Sequence, residues 1–178
     1  MTQHATARRT VVGVVAAALT LTGLLSGCSS RPGAAAVVDG RTIKTSDVVA
    51  VVDDLKPALG SVSATQVLNI LIEEPMLVQL AADHGQGVSS ADAKATLDGF
   101  FTAAKLTPPA TFSPATMEVG LHQAANAKLA ADTSDTTLGQ DYTTRLAKLQ
   151  VTVNPRFGTW DQGQLGAAAA PSWVVAQK

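Results

Sequence analysis

The sequence predicts a mainly α-helical domain of about five helices with a minor β-sheet formed by an N-terminal hairpin and a C-terminal strand. Three observations predict it. Apolar residues recur at three- and four-residue spacing through most of the stretch from 45 to 150. A Ser, Thr, Asp or Ser-Pro stands ahead of each such run, where an N-cap belongs. Short apolar runs around Val37 and Val151 supply strands at either end.

In chain order, Ala35-Ala36-Val37-Val38 and Arg41-Thr42-Ile43 flank Asp39-Gly40. A type I′ turn needs positive φ at both central residues, which Asp-Gly tolerates, so a two-stranded hairpin is expected. Thr45, Ser46 and Asp47 offer caps for a first helix carrying Val48, Val52, Leu55 and Leu59, ending near Pro57. Its valines also suit a strand, but spacing and caps favour the helix. Ser63 to Gln66 has capping-box spacing and opens the most apolar segment, from Val67 to Ala81. A helix apolar over so wide an arc lies at the centre of its domain, with Glu73 and Glu74 as a narrow exposed strip. Pro75 has no amide for the Leu71 carbonyl, which predicts a kink or a break.

Gly85 supplies the stop of that helix. Ser89 or Ser90 caps a third helix with Ala93, Leu97, Phe100, Phe101 and Ala104 on one face, closed by Thr107-Pro108-Pro109. Ser113-Pro114 places proline at N1 of a fourth, where Met117, Leu121, Ala125 and Leu129 recur every four residues. Leu138, Tyr142, Leu146 and Leu149 give a fifth, either separate from the fourth or one broken continuation of it. Val151-Thr152-Val153 alternates as a strand, closed by Asn154-Pro155. The tail 161–178 has neither cap nor period and is expected to be mobile or weakly docked.

The first 27 residues read differently. Arg8 and Arg9 precede an apolar run from Val11 to Leu25, about 15 residues against the roughly 20 that span a bilayer. This is the make-up of a signal peptide with its basic and apolar regions. Ordinary Sec export is the default, although the arginine pair is similar to a twin-arginine signal. The run meets Leu25-Ser26-Gly27-Cys28, and the chain's one cysteine is Cys28. This resembles the lipobox of bacterial lipoproteins, which implies diacylglyceryl attachment (a palmitate-type anchor) to Cys28 and cleavage before it. A lone cysteine forms no internal disulfide, and acylation removes a free thiol. Each buried lipid CH₂ contributes about 0.8 kcal/mol, so two or three chains hold a protein firmly on a membrane. The expected organisation is signal peptide 1–27, lipidated tether 28–34, helical domain 35–160 and tail 161–178.

Of the 13 Lys and Arg, Arg8 and Arg9 precede Cys28, whereas all 14 acidic residues follow it, so the mature chain carries net charge −3. No basic cluster survives to bind nucleic acid or phosphate. After Cys28 the histidines are His84 and His122, neither with a second His or Cys at metal-ligand spacing. There is no G-x-S-x-G, P-loop or dinucleotide fingerprint. Asp53-Asp54 and Glu73-Glu74 are adjacent and therefore diverge on a helix, which suits a solvated face better than paired catalytic carboxylates. The reading is of a chain that is not an enzyme, with no cofactor beyond the lipid on Cys28.

The succession Val37-Val38-Asp39-Gly40-Arg41-Thr42-Ile43, a capped helix, Leu71-Ile72-Glu73-Glu74 with Leu77 and Leu80-Ala81-Ala82-Asp83-His84-Gly85, then Val88-Ser89-Ser90-Ala91-Asp92, resembles the N-terminal domain of SurA-like and PrsA-like envelope chaperones. Val153-Asn154-Pro155-Arg156-Phe157-Gly158 is similar to the strand that closes that domain. The resemblance covers residues 35 to 160. Pro75 departs from the family's uninterrupted hydrophobic helix, and no room remains for a parvulin-type isomerase domain. It implies a membrane-anchored, chaperone-like module facing the periplasm or extracytoplasmic space, with exported polypeptides as clients. Met76, Phe100, Phe101, Met117 and Leu121 are the candidate groove residues, because thioethers and aromatics adapt to varied apolar partners; the same residues also suit an ordinary core. A non-enzymatic adaptor for one envelope partner protein is the rival, and a solute or lipid carrier a third reading.

Overall fold

A computed structural model describes residues 32–161 and 163–168. Cys28, the signal peptide and residues 169–178 lie outside the described residues. Strands β1 (Ala34–Val38) and β2 (Arg41–Lys44) form the expected hairpin, with φ of +47° at Asp39 and +85° at Gly40. β3 (Val151–Val153) pairs antiparallel with the other edge of β1, Val37 opposite Thr152, so the sheet order is β2-β1-β3. Chain segments more than a hundred residues apart thus share one sheet.

Five helices follow the hairpin. α1 (Thr45–Leu59) starts where Asp47 Oδ2 accepts the Lys44 N–H at 2.9 Å; it runs through Pro57 and stops at Gly60, whose φ is +73°. α2 (Ala64–Asp83) is capped by Ser63, whose Oγ accepts the Gln66 N–H. α3 (Ser90–Ala103) is capped reciprocally by Ser89 and Asp92, and α4 (Pro114–Ala131) by Ser113 with Pro114 at its first position. α5 (Leu138–Leu146) is separate from α4 and has no fully buried residue.

α2 passes through Pro75 without a break. The carbonyl that Pro75 leaves without a helical donor belongs to Leu71. It accepts instead from the Arg41 guanidinium of β2, at 2.6 Å. A tertiary hydrogen bond replaces the missing local one.

The core is in two parts. The larger joins Ala36, Val38 and Ile43 of the sheet with Val48, Val51 and Leu55 of α1, Leu68, Leu71 and Ile72 of α2, and Leu97 and Phe101 of α3. The smaller joins Leu77, Leu80 and Ala81 of α2 to Ala125 and Leu129 of α4, with Tyr142 of α5 against it. Burying each such leucine or isoleucine stabilises the fold by roughly 1.5–3 kcal/mol. α2 contributes to both parts, as its wide apolar arc predicts.

Two short strands, β4 (Thr159–Asp161) and β5 (Gln164–Gly166), pair antiparallel beyond β3. The sequence reading contains no such element. Trp160 and Leu165 pack against the larger core, and the Leu165 N–H donates to Asn69 Oδ1 at 3.1 Å, so the start of the tail is docked on α2.

Candidate cleft and the charged seam beside it

A cleft of about 430 Å³ opens between the β1–β2 turn, the middle of α2 and the C-terminal end of α5. Val38, Ile72, Pro75, Met76 and Leu149 supply its apolar lining, and Asp39, Arg41, Gln79, Arg145 and Lys148 its polar lining. The turn is pinned reciprocally: the Asp39 N–H donates to the Gln150 carbonyl, and Asp39 Oδ1 accepts the Gln150 N–H, both at 3.0 Å. Arg145 is fixed by Asp83 at 2.8 Å and Asp141 at 3.0 Å. Lys148 is exposed and makes no ion pair with another described residue.

Of the five residues singled out for a groove, the structure brings Met76 alone to this cleft. Phe101 is 4% exposed and its ring stands 5.7 Å from that of Phe112. Phe100 and Met117 pack against the larger core cluster, and Leu121 is half-buried on α4. α4 packs closely on α3 at Gly120, against Ala93 and Leu97.

Glu73 and Glu74 require a correction. Expected as an exposed strip, they are 8% and 7% exposed; Tyr142 of α5 and His122 of α4 face Glu73, and Glu118 and His122 of α4 and Arg41 of β2 act on Glu74. Two donors hold Glu73: the Asn69 side-chain amide one turn earlier, and the Tyr142 hydroxyl of α5 at 3.1 Å. Glu74 takes no hydrogen bond from a described residue. Burial, followed by the charge of Glu118, pushes its carboxyl up to about 7, with Arg41 and His122 pulling the other way. Burial and the neighbouring Glu73 likewise push the Tyr142 hydroxyl up to about 12.

On α4, Glu118 and His122 stand one turn apart and complete the cluster. Glu118 Oε2 accepts from Arg41 at 3.0 Å. Both ring nitrogens of His122 are buried without a hydrogen-bond partner, and Nε2 lies 3.9 Å from Glu73 Oε2. His122 therefore lies within the seam between α2 and α4. A sequence signal for this cluster exists, in hindsight of the packing: Asn69 and Glu73, and Glu118 and His122, are each spaced to share a helix face.

At the other end of α2, His84 is the C-cap residue, as its position near a helix terminus suggests. Its imidazole also reaches across the fold, Nδ1 to Asp135 and Nε2 to Asp141 at 3.1 Å. The hydrogen bond with Asp135, then that with Asp141, raises its pKa. Asp83, Arg145, Asp141, His84 and Asp135 form one continuous chain of charges that fastens α5 to α2.

No protein-family model, curated protein or solved structure matches this chain.

Proposed function

We propose that this chain is a lipid-anchored, extracytoplasmic, non-enzymatic domain that docks a short apolar segment of a partner polypeptide in the cleft between α2 and α5. The single observation that supports the reading is the cleft, whose apolar lining is joined by Arg41, Arg145 and Lys148. Its volume suits two or three side chains rather than an extended unfolded stretch. The likeness to SurA-like N-terminal domains supports polypeptide as the ligand, and the lipobox ending at Cys28 supports the anchor. Among the described residues no helix is long and apolar enough to cross a membrane, so attachment rests on residues before Pro32 in this reading.

Of the general holdase and the single-partner adaptor, the described surface favours the adaptor. Its exposed large hydrophobics are Val49, Leu59 and Leu106. Val49 and Leu59 stand ten residues apart on α1, about 15 Å along its axis, so these two do not join in one patch. A holdase for many clients needs a broad apolar surface.

The test uses the full chain with a photo-crosslinking residue placed at Met76 or, as control, at Leu106, in the cell that makes it. A discrete cross-linked protein from position 76 alone, without suppression of aggregation of an unrelated unfolded exported protein, is the expected outcome. Equal products from both positions would remove the cleft from consideration, and broad aggregation suppression would restore the holdase. The anchor is tested separately: Cys28→Ala should remain uncleaved or leave the membrane fraction, and an unchanged, processed, membrane-bound product would exclude lipidation.

A further inference from the structure

Three carboxylates border the seam between α2 and α4: Glu74 on α2, buried and acted on by the charge of Glu118 on α4; Glu73 beside it in sequence, buried and 3.9 Å from His122 of α4; and Glu118 itself, paired with Arg41 where both side chains are 37% exposed. The charged or titratable groups facing them are Arg41 from β2, His122 from α4 and Tyr142 from α5. With all three carboxylates ionised the seam holds excess negative charge, whichever state His122 takes. Burial makes such an excess costly. The hydrogen bonds decide where a proton relieves it. Glu73 has two donors and Glu118 has Arg41, whereas Glu74 has none.

We propose that the α2–α4 seam is a proton-sensitive clamp, closed while Glu74 is a neutral carboxylic acid and loosened when Glu74 ionises. Arg41 and His122 attract a new charge at that point, but burial and the charge of Glu118 outweigh them. Arg41 is already shared between Glu118 and the Leu71 carbonyl, and neither it nor His122 donates a hydrogen bond to Glu74. The direction follows from linkage. A carboxyl whose folded-state pKa is raised binds its proton more tightly folded than unfolded, so its contribution is present at low pH and is lost as pH rises from its ordinary 4.5 towards 7. Because Arg41 also lines the cleft, loosening of the seam acts on a wall of that cleft. The clamp stands whether or not the cleft binds a polypeptide, since its test needs no ligand.

The experiment is hydrogen exchange of the full chain in detergent micelles, corrected for the intrinsic pH dependence of exchange, followed at the α4 amides between pH 5.5 and 8.5. Protection in the wild-type chain should fall roughly tenfold or more across that range. Glu74→Gln, isosteric with the neutral acid, should hold the low-pH protection throughout. Glu118→Gln removes the second negative charge and should shrink the fall, which provides an independent arm if Glu74→Gln folds poorly. Flat protection in the wild type, or an undiminished fall in both variants, would overturn the clamp.

Discussion

The Arg41 guanidinium donates at 2.6 Å to the carbonyl of Leu71, the group that Pro75 leaves without its helical partner. A residue of the N-terminal hairpin thereby completes the hydrogen bonding of the central helix, and a proline in the middle of α2 is accommodated without a break.

Removing that donor should expose the defect. Arg41→Met is expected to cost about 1–3 kcal/mol, the penalty of an unsatisfied buried carbonyl. Pro75→Ala restores a local amide, so it should stabilise the Arg41→Met chain more than the parent, by about 1 kcal/mol in a double-mutant cycle. Equal effects of Pro75→Ala in both backgrounds, measured by urea unfolding, would show that Arg41 does not compensate for Pro75.

His84 gives the junction of α2 and α5 its own pH dependence. Its pKa is raised above 6.5 by Asp135 first and Asp141 second. The stabilisation is therefore complete below that value and is lost as pH rises through the higher folded value. Limited proteolysis in the 132–137 connection should accelerate with rising pH in the parent, whereas His84→Gln should be cut quickly throughout. An unchanged pH profile in His84→Gln would assign the effect elsewhere.

Gly120 sits where α4 presses on α3. A Cβ there would stand 2.8 Å from the Ala93 carbonyl oxygen and 3.0 Å from Leu97 Cδ1. Gly120→Ala should destabilise by about 1–3 kcal/mol through overpacking. Gly99, on α3 with nothing within 4 Å of such a Cβ, is the control; Gly99→Ala should stabilise by about 0.5–1 kcal/mol. Thermal unfolding of the pair separates close packing from helix propensity.

Tyr142 is the only tyrosine in the chain, so an ultraviolet titration reads it alone. The tyrosinate signal should appear near pH 12 rather than 10. Because the folded state keeps the proton longer, the stability associated with Tyr142 is lost as pH rises from about 10 towards 12. Tyr142→Phe should cost about 1–2 kcal/mol at neutral pH by taking one of two donors from Glu73. A midpoint at the ordinary value would mean that the hydroxyl is not held against Glu73.

The helices were legible because their signals are local. Ser63, Ser89 and Ser113 cap the helices that their spacing announces, and Gly85 closes α2 with a φ of +73°. The hairpin at Asp39-Gly40 and the strand at Val151 were legible for the same reason, since a turn needing positive φ and a period of two are properties of a few neighbouring residues. The docked strand pair at 159–166 was not, because Thr159-Trp160-Asp161 and Gln164-Leu165-Gly166 each hold a single large apolar residue, too few to set a period of two.

For the site, sequence reasoning reached Met76 and missed its surroundings. The aromatic and thioether residues on α3 and α4 read equally well as groove or core, and only the helix crossing turned Phe101 inward. Glu73 and Glu74 looked like a solvent strip because a carboxylate is ordinarily exposed.

By itself, the sequence determined the order of the hairpin, the helices and the strand at Val151, the caps, the central place of α2 and the apolar run before Cys28, each fixed by bonds and periods within a few residues. Tertiary structure alone decided that Arg41 repairs the helix at Pro75, that His84 joins α2 to α5, and that two glutamates are buried against α4. Those outcomes depend on which side chains meet across distant segments, and the free energy of a charge is set by the groups that surround it rather than by its neighbours in the chain.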